Sequence, residues 1–218
     1  PDPNVQLPGG YDQFNAMQKI RFKPSTNWDL TYGFHFSKTS DVPRYDRLIL
    51  KNSSNVFTNA EWYYGPQKWI MHALNATFIR STTFFDQAKL TAGYQDYGES
   101  RHNRNFSGTS RNVRTDRYEQ VKAFSFNIDF DKQLNEKTTL FYGAEYVANQ
   151  VGSTAERVNI TDGTITGTST RYPDGSEWKS YAAYASLRHT LSKKWLLNAS
   201  ARYTYVYTYA PFDPTYFD

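Results

Sequence analysis

Cysteine is absent from all 218 residues, which removes a disulfide frame and every thiolate metal site. Long apolar runs are missing too, and no window approaches the roughly 20 apolar residues a membrane-spanning helix needs. That absence does not exclude a membrane β-barrel, whose strands present only every second residue to lipid. The four histidines, His35, His72, His102 and His189, stand far apart, without metal-ligand spacing. G-x-S-x-G, H-E-x-x-H and G-x-G-x-x-G do not occur, so the common hydrolase, metalloprotease and dinucleotide signatures are excluded. The opening PDPNVQLPGG carries neither the basic n-region nor the apolar h-region of a signal peptide.

Aromatics, by contrast, make up 17% of the chain, with 18 Tyr, 15 Phe and 5 Trp. Disordered chains are poor in such residues, so the mean hydropathy of −0.74 does not signal disorder. The polar and aromatic residues alternate. Trp28, Leu30, Tyr32, Phe34 and Phe36 are separated by Asp29, Thr31, Gly33 and His35, and Trp195, Leu197, Ala199, Ala201, Tyr203, Tyr205 and Tyr207 by Asn198, Ser200, Arg202 and Thr204. The same period of two runs through Phe124–Phe130 and Leu140–Tyr146, and more weakly through 14–23, 85–97 and 178–191. Residues 68–80 are ambiguous: Leu74, Ala76 and Phe78 share one face, while Trp69, Met71 and Ile79 lie on the other. This segment is read as a strand.

The pattern predicts about eight strands of roughly 10–14 residues, longer than the globular mode. Short turns are expected near 24–27, 81–84, 131–137 and 192–194, and long loops over about 39–67, 98–116 and 150–177. Several long loops alternating with short turns are foreign to a compact soluble domain and usual in outer-membrane barrels. The charges decide between these. Lys19, Arg21, His35, Lys89, Asp129, Glu145, Arg188 and Arg202 fall on the face opposite the apolar residues, where a soluble β-sandwich or lipocalin-like barrel would pack its core and a membrane barrel would line a polar lumen. Trp28, Phe36, Trp195 and Tyr207 mark strand ends, as interfacial aromatic girdles do. The fold class expected is all-β, an antiparallel transmembrane β-barrel. The ending YAPFDPTYFD reads as the start of a further loop, so residues 1–218 are expected to form a segment of a larger barrel domain.

The runs TSDVPRYDRL (39–48), AEWYYGPQKW (60–69), YQDYGESRHNRNF (94–106) and RYPDGSEW (171–178), in that order with strands between, resemble TonB-dependent outer-membrane receptors of the Bacteroidetes kind. The resemblance covers the chain from about residue 11 onward. It implies a barrel of about 22 strands in a Gram-negative outer membrane, with a plug domain and TonB box before Pro1 and further strands after Asp218. It also implies uptake of a scarce small-molecule ligand such as siderophore-iron, haem, cobalamin or oligosaccharide. Outer-membrane lipid, lipopolysaccharide and the TonB energy-transducing complex would be partners. No covalent chemistry, resident cofactor or bound metal is implied.

Candidate ligand contacts lie in the expected loops: Arg44, Tyr45 and Arg47 beside Asp46; Trp62, Tyr63 and Tyr64; and Arg101, His102 and Arg104. Guanidinium groups bind carboxylate or phosphate bidentately, and aromatic faces stack on planar ligands or sugars. The competing reading is that these residues knit the loops together, with Arg44 or Arg47 paired to Asp41 or Asp46. Arg101, Arg104, Arg111, Arg114 and Arg117 either attract an anionic ligand or lipopolysaccharide phosphates or decorate a solvated loop. A loop histidine such as His102 is the residue type that ligates a haem cargo. The net charge of +4 also admits nucleic acid, but no recognition motif accompanies it and the aromatics follow strand period, so nucleic acid is not expected. An adhesin or membrane scaffold with surface loops is the alternative function. A hydrolase would need Ser or Asp paired with a His at a strand end, and neither His35 nor His189 is so placed.

Overall fold

The computed structural model describes residues 4–215, so Pro1 and Asp218, where the segment was expected to join missing parts, lie outside the described residues. The elements follow as β1 (Gln13–Ser25), β2 (Trp28–Thr39), β3 (Val42–Pro43), α1 (Tyr45–Leu48), β4 (Asn59–Tyr64), β5 (Lys68–Ile79), β6 (Gln87–Asn105), β7 (Val113–Asn135), β8 (Thr138–Asn159), β9 (Ile165–Gly167), β10 (Ser176–Ser192) and β11 (Trp195–Tyr209). The long strands pair in the order β1-β2-β5-β6-β7-β8-β10-β11, and every pairing is antiparallel. The expected strands are all present, including the ambiguous 68–80 segment as β5. The sheet is open, with β1 and β11 as its edges.

One local device shapes the short-turn end. At each of the four turns a side-chain oxygen accepts the N–H two residues on: Ser25 from Asn27 at 3.3 Å, Thr82 from Phe84 at 3.2 Å, Asn135 from Lys137 at 3.0 Å and Ser192 from Lys194 at 3.3 Å. Ser, Thr and Asn favour such turns because the side chain replaces a backbone partner. Asp86 braces the second turn, accepting from the Ser81 hydroxyl, the Gln133 N–H and Lys132 at 2.6–3.0 Å. These bonds hold its carboxyl down at about 2.

Directly opposed residues share a face, so the register defines two surfaces. One carries the rows Phe22–Leu30–Ala76–Leu90–Ile128–Ala144–Ala183–Tyr203 and Ile20–Tyr32–Leu74–Ala92–Phe126–Tyr146–Tyr181–Tyr205. At its short-turn rim the rings Trp28–Phe78–Phe85–Phe130–Tyr142 form a chain of centroid contacts of 4.5–6.3 Å. Polar residues do enter this surface. Gln18 stands opposite Phe34, and His72 accepts or donates a 2.7 Å bond with the Tyr32 hydroxyl. Lys38, Lys68, Lys122 and Lys179 line its long-loop rim. The expectation that charge would keep to one face therefore holds only between the rims, where lipid would penalise it. Among the described residues, the fully buried side chains are small and polar, Asp116 and Ser153, and only Ala76 and Ala182 are buried apolar residues.

The expected loop 98–116 is mostly strand, and the expected loop 150–177 is strand over its first third. β6 runs on to Asn105, β7 begins at Val113 and β8 extends to Asn159, leaving a short β6–β7 connection and a longer β8–β10 connection that carries β9. Beyond the apolar band both faces are polar, so the alternation vanishes while the backbone ladder continues. The 39–67 segment is a true excursion, and it folds back: β4 pairs with the extension of β6, and β3 with β4.

Candidate functional site

At the long-loop end, β4 places alternate side chains on the two sides of the wall. Trp62 and Tyr64 lie on the polar side with Arg101, and Tyr63 lies on the other with His102. On the polar side, Arg44 gathers the cluster. Its guanidinium bonds both oxygens of Asp46 at 2.7 Å and the Tyr64 hydroxyl at 2.7 Å. It also stands 5.3 and 5.2 Å from the Trp62 and Tyr64 rings. Arg47 approaches the Trp62 ring at 5.7 Å, and Arg101 the Tyr64 ring at 5.2 Å. Arg44 holds the Asp46 carboxyl below the usual carboxylate range. The structure thus brings Arg44, Arg47, Trp62, Tyr64 and Arg101 together, with Tyr45 half-buried on α1 beside them. The acidic partner is Asp46, not Asp41.

Arg104 is engaged elsewhere, with Glu61 at 2.7 Å and the Arg111 carbonyl at 2.8 Å. Arg114 forks onto Asp116 at 2.8–3.1 Å. Arg101, Arg104, Arg114 and Arg117 stand on β6 and β7 rather than in a solvated loop, because the strands run further than the alternation does.

His102 is buried, and both ring nitrogens are taken: Nδ1 lies 2.6 Å from Asp116 and Nε2 2.9 Å from the Ser100 hydroxyl. Neither nitrogen is left to ligate a haem cargo. Ser100 and Asp116 were not legible as partners, since both lay in a run read as loop. The Ser–His–Asp connectivity is that of an activated nucleophile. Its surroundings give it another task. Asp116 is shared with Arg114, the Tyr63 ring stacks on His102 at 4.6 Å and 15°, and Gly65 lies so close that a Cβ there would collide with the Ser100 hydroxyl. The group pins β4 onto β6.

Further toward the wall's polar face, Glu99 and Glu119 are directly opposed on β6 and β7. Glu99 accepts from the Tyr97 hydroxyl at 2.9 Å, Arg101 at 3.2 Å and Arg171 at 3.4 Å. Glu119 is 6% exposed, and both of its carboxylate oxygens are buried without a hydrogen-bond partner. Burial pushes its carboxyl up, Glu99 adds to the rise, and Arg101, Arg171 and Arg117 oppose it. The two acids line an open recess of about 360 Å³, together with Tyr172 and Pro173 from the β8–β10 connection. Asp174 and Gly175 hold that connection: Gly175 has φ +78°, and Asp174 accepts the Ser153 N–H at 2.8 Å.

Lys19, Arg21, His35, Lys89, Asp129, Glu145, Arg188 and Arg202 all share the polar face by register. Several form a network across strands. Arg21 bonds Asp29, the Tyr184 hydroxyl donates to Asp129, and Arg202 reaches Glu145 at 2.5 Å. His35 lies against the Trp69 ring at 4.6 Å. Among the described residues, no group of three or more His, Cys, Asp or Glu side chains could hold a metal ion. No helix among them is long and apolar enough to cross a membrane.

The sequence matches a family model described as TonB dependent receptor-like, beta-barrel, over residues 3–216. No curated protein matches the sequence. Among solved structures, the copper transporter OprC is similar, with a TM-score of 0.67 at 9% identity, covering 94% of this chain and 32% of that one. At that identity the likeness is one of fold, and the chain spans about a third of that transporter's length.

Proposed function

Because the chain belongs to the TonB-dependent receptor-like β-barrel family, we propose that it forms part of the wall and outer mouth of a Gram-negative outer-membrane receptor driven by TonB. The receptor takes up a scarce ligand, of the siderophore-iron, haem, cobalamin or oligosaccharide kind. The observation that carries this reading is the two-faced sheet. Eight long antiparallel strands present an apolar band on one side and a bonded polar network on the other, the arrangement of a lipid-facing wall around a polar lumen.

The short-turn end faces the periplasm and the β3–β4 excursion and β8–β10 connection face outside, in keeping with short periplasmic turns and longer outer loops. The open edges at β1 and β11 are then the seams to further strands, and the polar-face residues from Lys19 to Arg202 line the lumen. The Bacteroidetes assignment rests on the four ordered runs from TSDVPRYDRL to RYPDGSEW. Lys38, Lys68, Lys122 and Lys179 on the outer rim are placed to meet lipopolysaccharide phosphates. The Arg44–Trp62–Tyr64–Arg101 cluster sits at the mouth, where its aromatic rings and its ion-paired arginines are placed to meet incoming ligand.

Growth of a deletion strain on single iron, vitamin and glycan sources tests the reading. A defect on one source, reproduced by deleting TonB and by collapsing the proton-motive force, is expected. Normal growth on every source, or uptake indifferent to TonB, overturns it.

A further inference from the structure

A buried carboxylate without a partner is expensive, because it has left water and met nothing in exchange. Glu119 is in that position, with both oxygens buried and unbonded. Its neighbour Glu99 is not, since two guanidinium groups and the Tyr97 hydroxyl satisfy it. The difference lies in what each faces. Glu99 is fenced by Arg101 and Arg171. Glu119 stands in the wall of the recess of about 360 Å³, beside Tyr97, Glu99, Val121, Val151, Tyr172 and Pro173, with its oxygens just beneath the surface, where a side-chain rotation brings them to an occupant.

The chemistry of an occupant follows from these walls. An anion would meet the unbonded Glu119 carboxylate, while the guanidinium groups of Arg101 and Arg171 are already on Glu99. An apolar group would leave Glu119 unpaired in a drier site. A hard metal ion wants six or more oxygens, and Glu99 has already given its own to arginines. An ammonium group fits. It donates up to three hydrogen bonds to a carboxylate, and aromatic faces attract it. We propose that this recess receives an ammonium group of the transported ligand, with Glu119 as its counter-ion and Tyr97 and Tyr172 as aromatic walls. The proposal rests on the receptor reading and narrows it, placing a cation-bearing small molecule among the ligands. The mouth cluster around Arg44 and Arg47 would handle an acceptor-rich part of the same molecule.

The test uses benzylammonium as probe, with benzyl alcohol as its uncharged counterpart, on the intact receptor in detergent micelles. Saturation-transfer NMR gives each Kd. Benzylammonium is expected to bind more tightly than benzyl alcohol, and Glu119→Gln to weaken it by at least about tenfold while leaving benzyl alcohol unchanged. Tyr172→Ala, which keeps the carboxylate, is expected to weaken benzylammonium several-fold. No saturable binding of benzylammonium, or equal Kd in wild type and Glu119→Gln, overturns the proposal and assigns Glu119 to Arg101 or Arg117 instead. Binding needs no energy source, so the two readings fail separately. TonB-driven uptake without ammonium binding removes the recess and leaves the receptor. Ammonium binding without TonB-driven uptake does the reverse.

Discussion

Glu119 and His102 show opposite ways of keeping a polar residue inside a wall. His102 is satisfied on both nitrogens, and Glu119 on neither oxygen. The unsatisfied group has a consequence for stability. Its folded-state pKa lies above the unfolded value of about 4.3, so between the two values the folded chain holds more protons than the unfolded one. Stability therefore falls as pH rises through that window and stays lower above it. Glu99, Arg101, Arg117 and Arg171 face the same carboxyl, and burial together with Glu99 outweighs the three arginines. Glu119→Gln is expected to raise stability at pH 8 by on the order of 1 kcal/mol and to leave it unchanged at pH 4, read as the temperature at which heat abolishes folded-form gel mobility. A gain of equal size at both pH values would show that charge is not the cause. At this scale residue types were legible and partners were not. Arg44 and Asp46 are close in sequence and were read as one of four pairings. Asp116 meets His102 only through the β6–β7 register, and Ser100, two residues before His102, shares its side only because that run is strand.

At the scale of elements, the strands were legible wherever lipid would impose alternation, as in Trp28–Phe36, and lost where it would not. Residues 98–105 and 113–120 continue the ladder with polar side chains on both faces, so period two carries no apolar mark there. The β3–β4 excursion was legible as a departure from the wall, from its charges and prolines, but its return to β6 was not. That return depends on close approach at Gly65. A Cβ at Gly65 would strike the Ser100 hydroxyl and come within 2.9 Å of His102 Nε2, both of them held in the bonded group below. Gly65→Ala is expected to lift β4 from β6 at a cost of about 1–3 kcal/mol. Limited proteolysis should then cut within 44–60 several-fold faster, while the folded-form mobility of the receptor is kept. Unchanged cleavage would show that β4 is held by its ladder and by Arg104–Glu61 alone.

For the molecule as a whole, the division into two faces is the property on which the proposed uptake depends, and neighbouring positions can test it. Ala144 stands in the apolar row between Ile128 and Ala183, and Asn127 in the polar row between Thr91 and Glu145. Both are strand residues midway between the rims, and they differ only in which way the pleat sends the side chain. A lysine at Ala144 would sit in hydrocarbon, at a cost of about 2–4 kcal/mol near the midplane. A lysine at Asn127 would join Glu145 and Asp129 on the wet side, with an effect of about 0.5 kcal/mol or less. Ala144→Lys is therefore expected to reduce the amount of folded receptor recovered from outer membranes several-fold, and Asn127→Lys to leave it near wild type. In a soluble sandwich the order would reverse, because the face bearing Asn127 would be the packed interior and the face bearing Ala144 the wetted one. The ranking of two single lysines thus reads out which side of the sheet meets lipid, independently of any ligand.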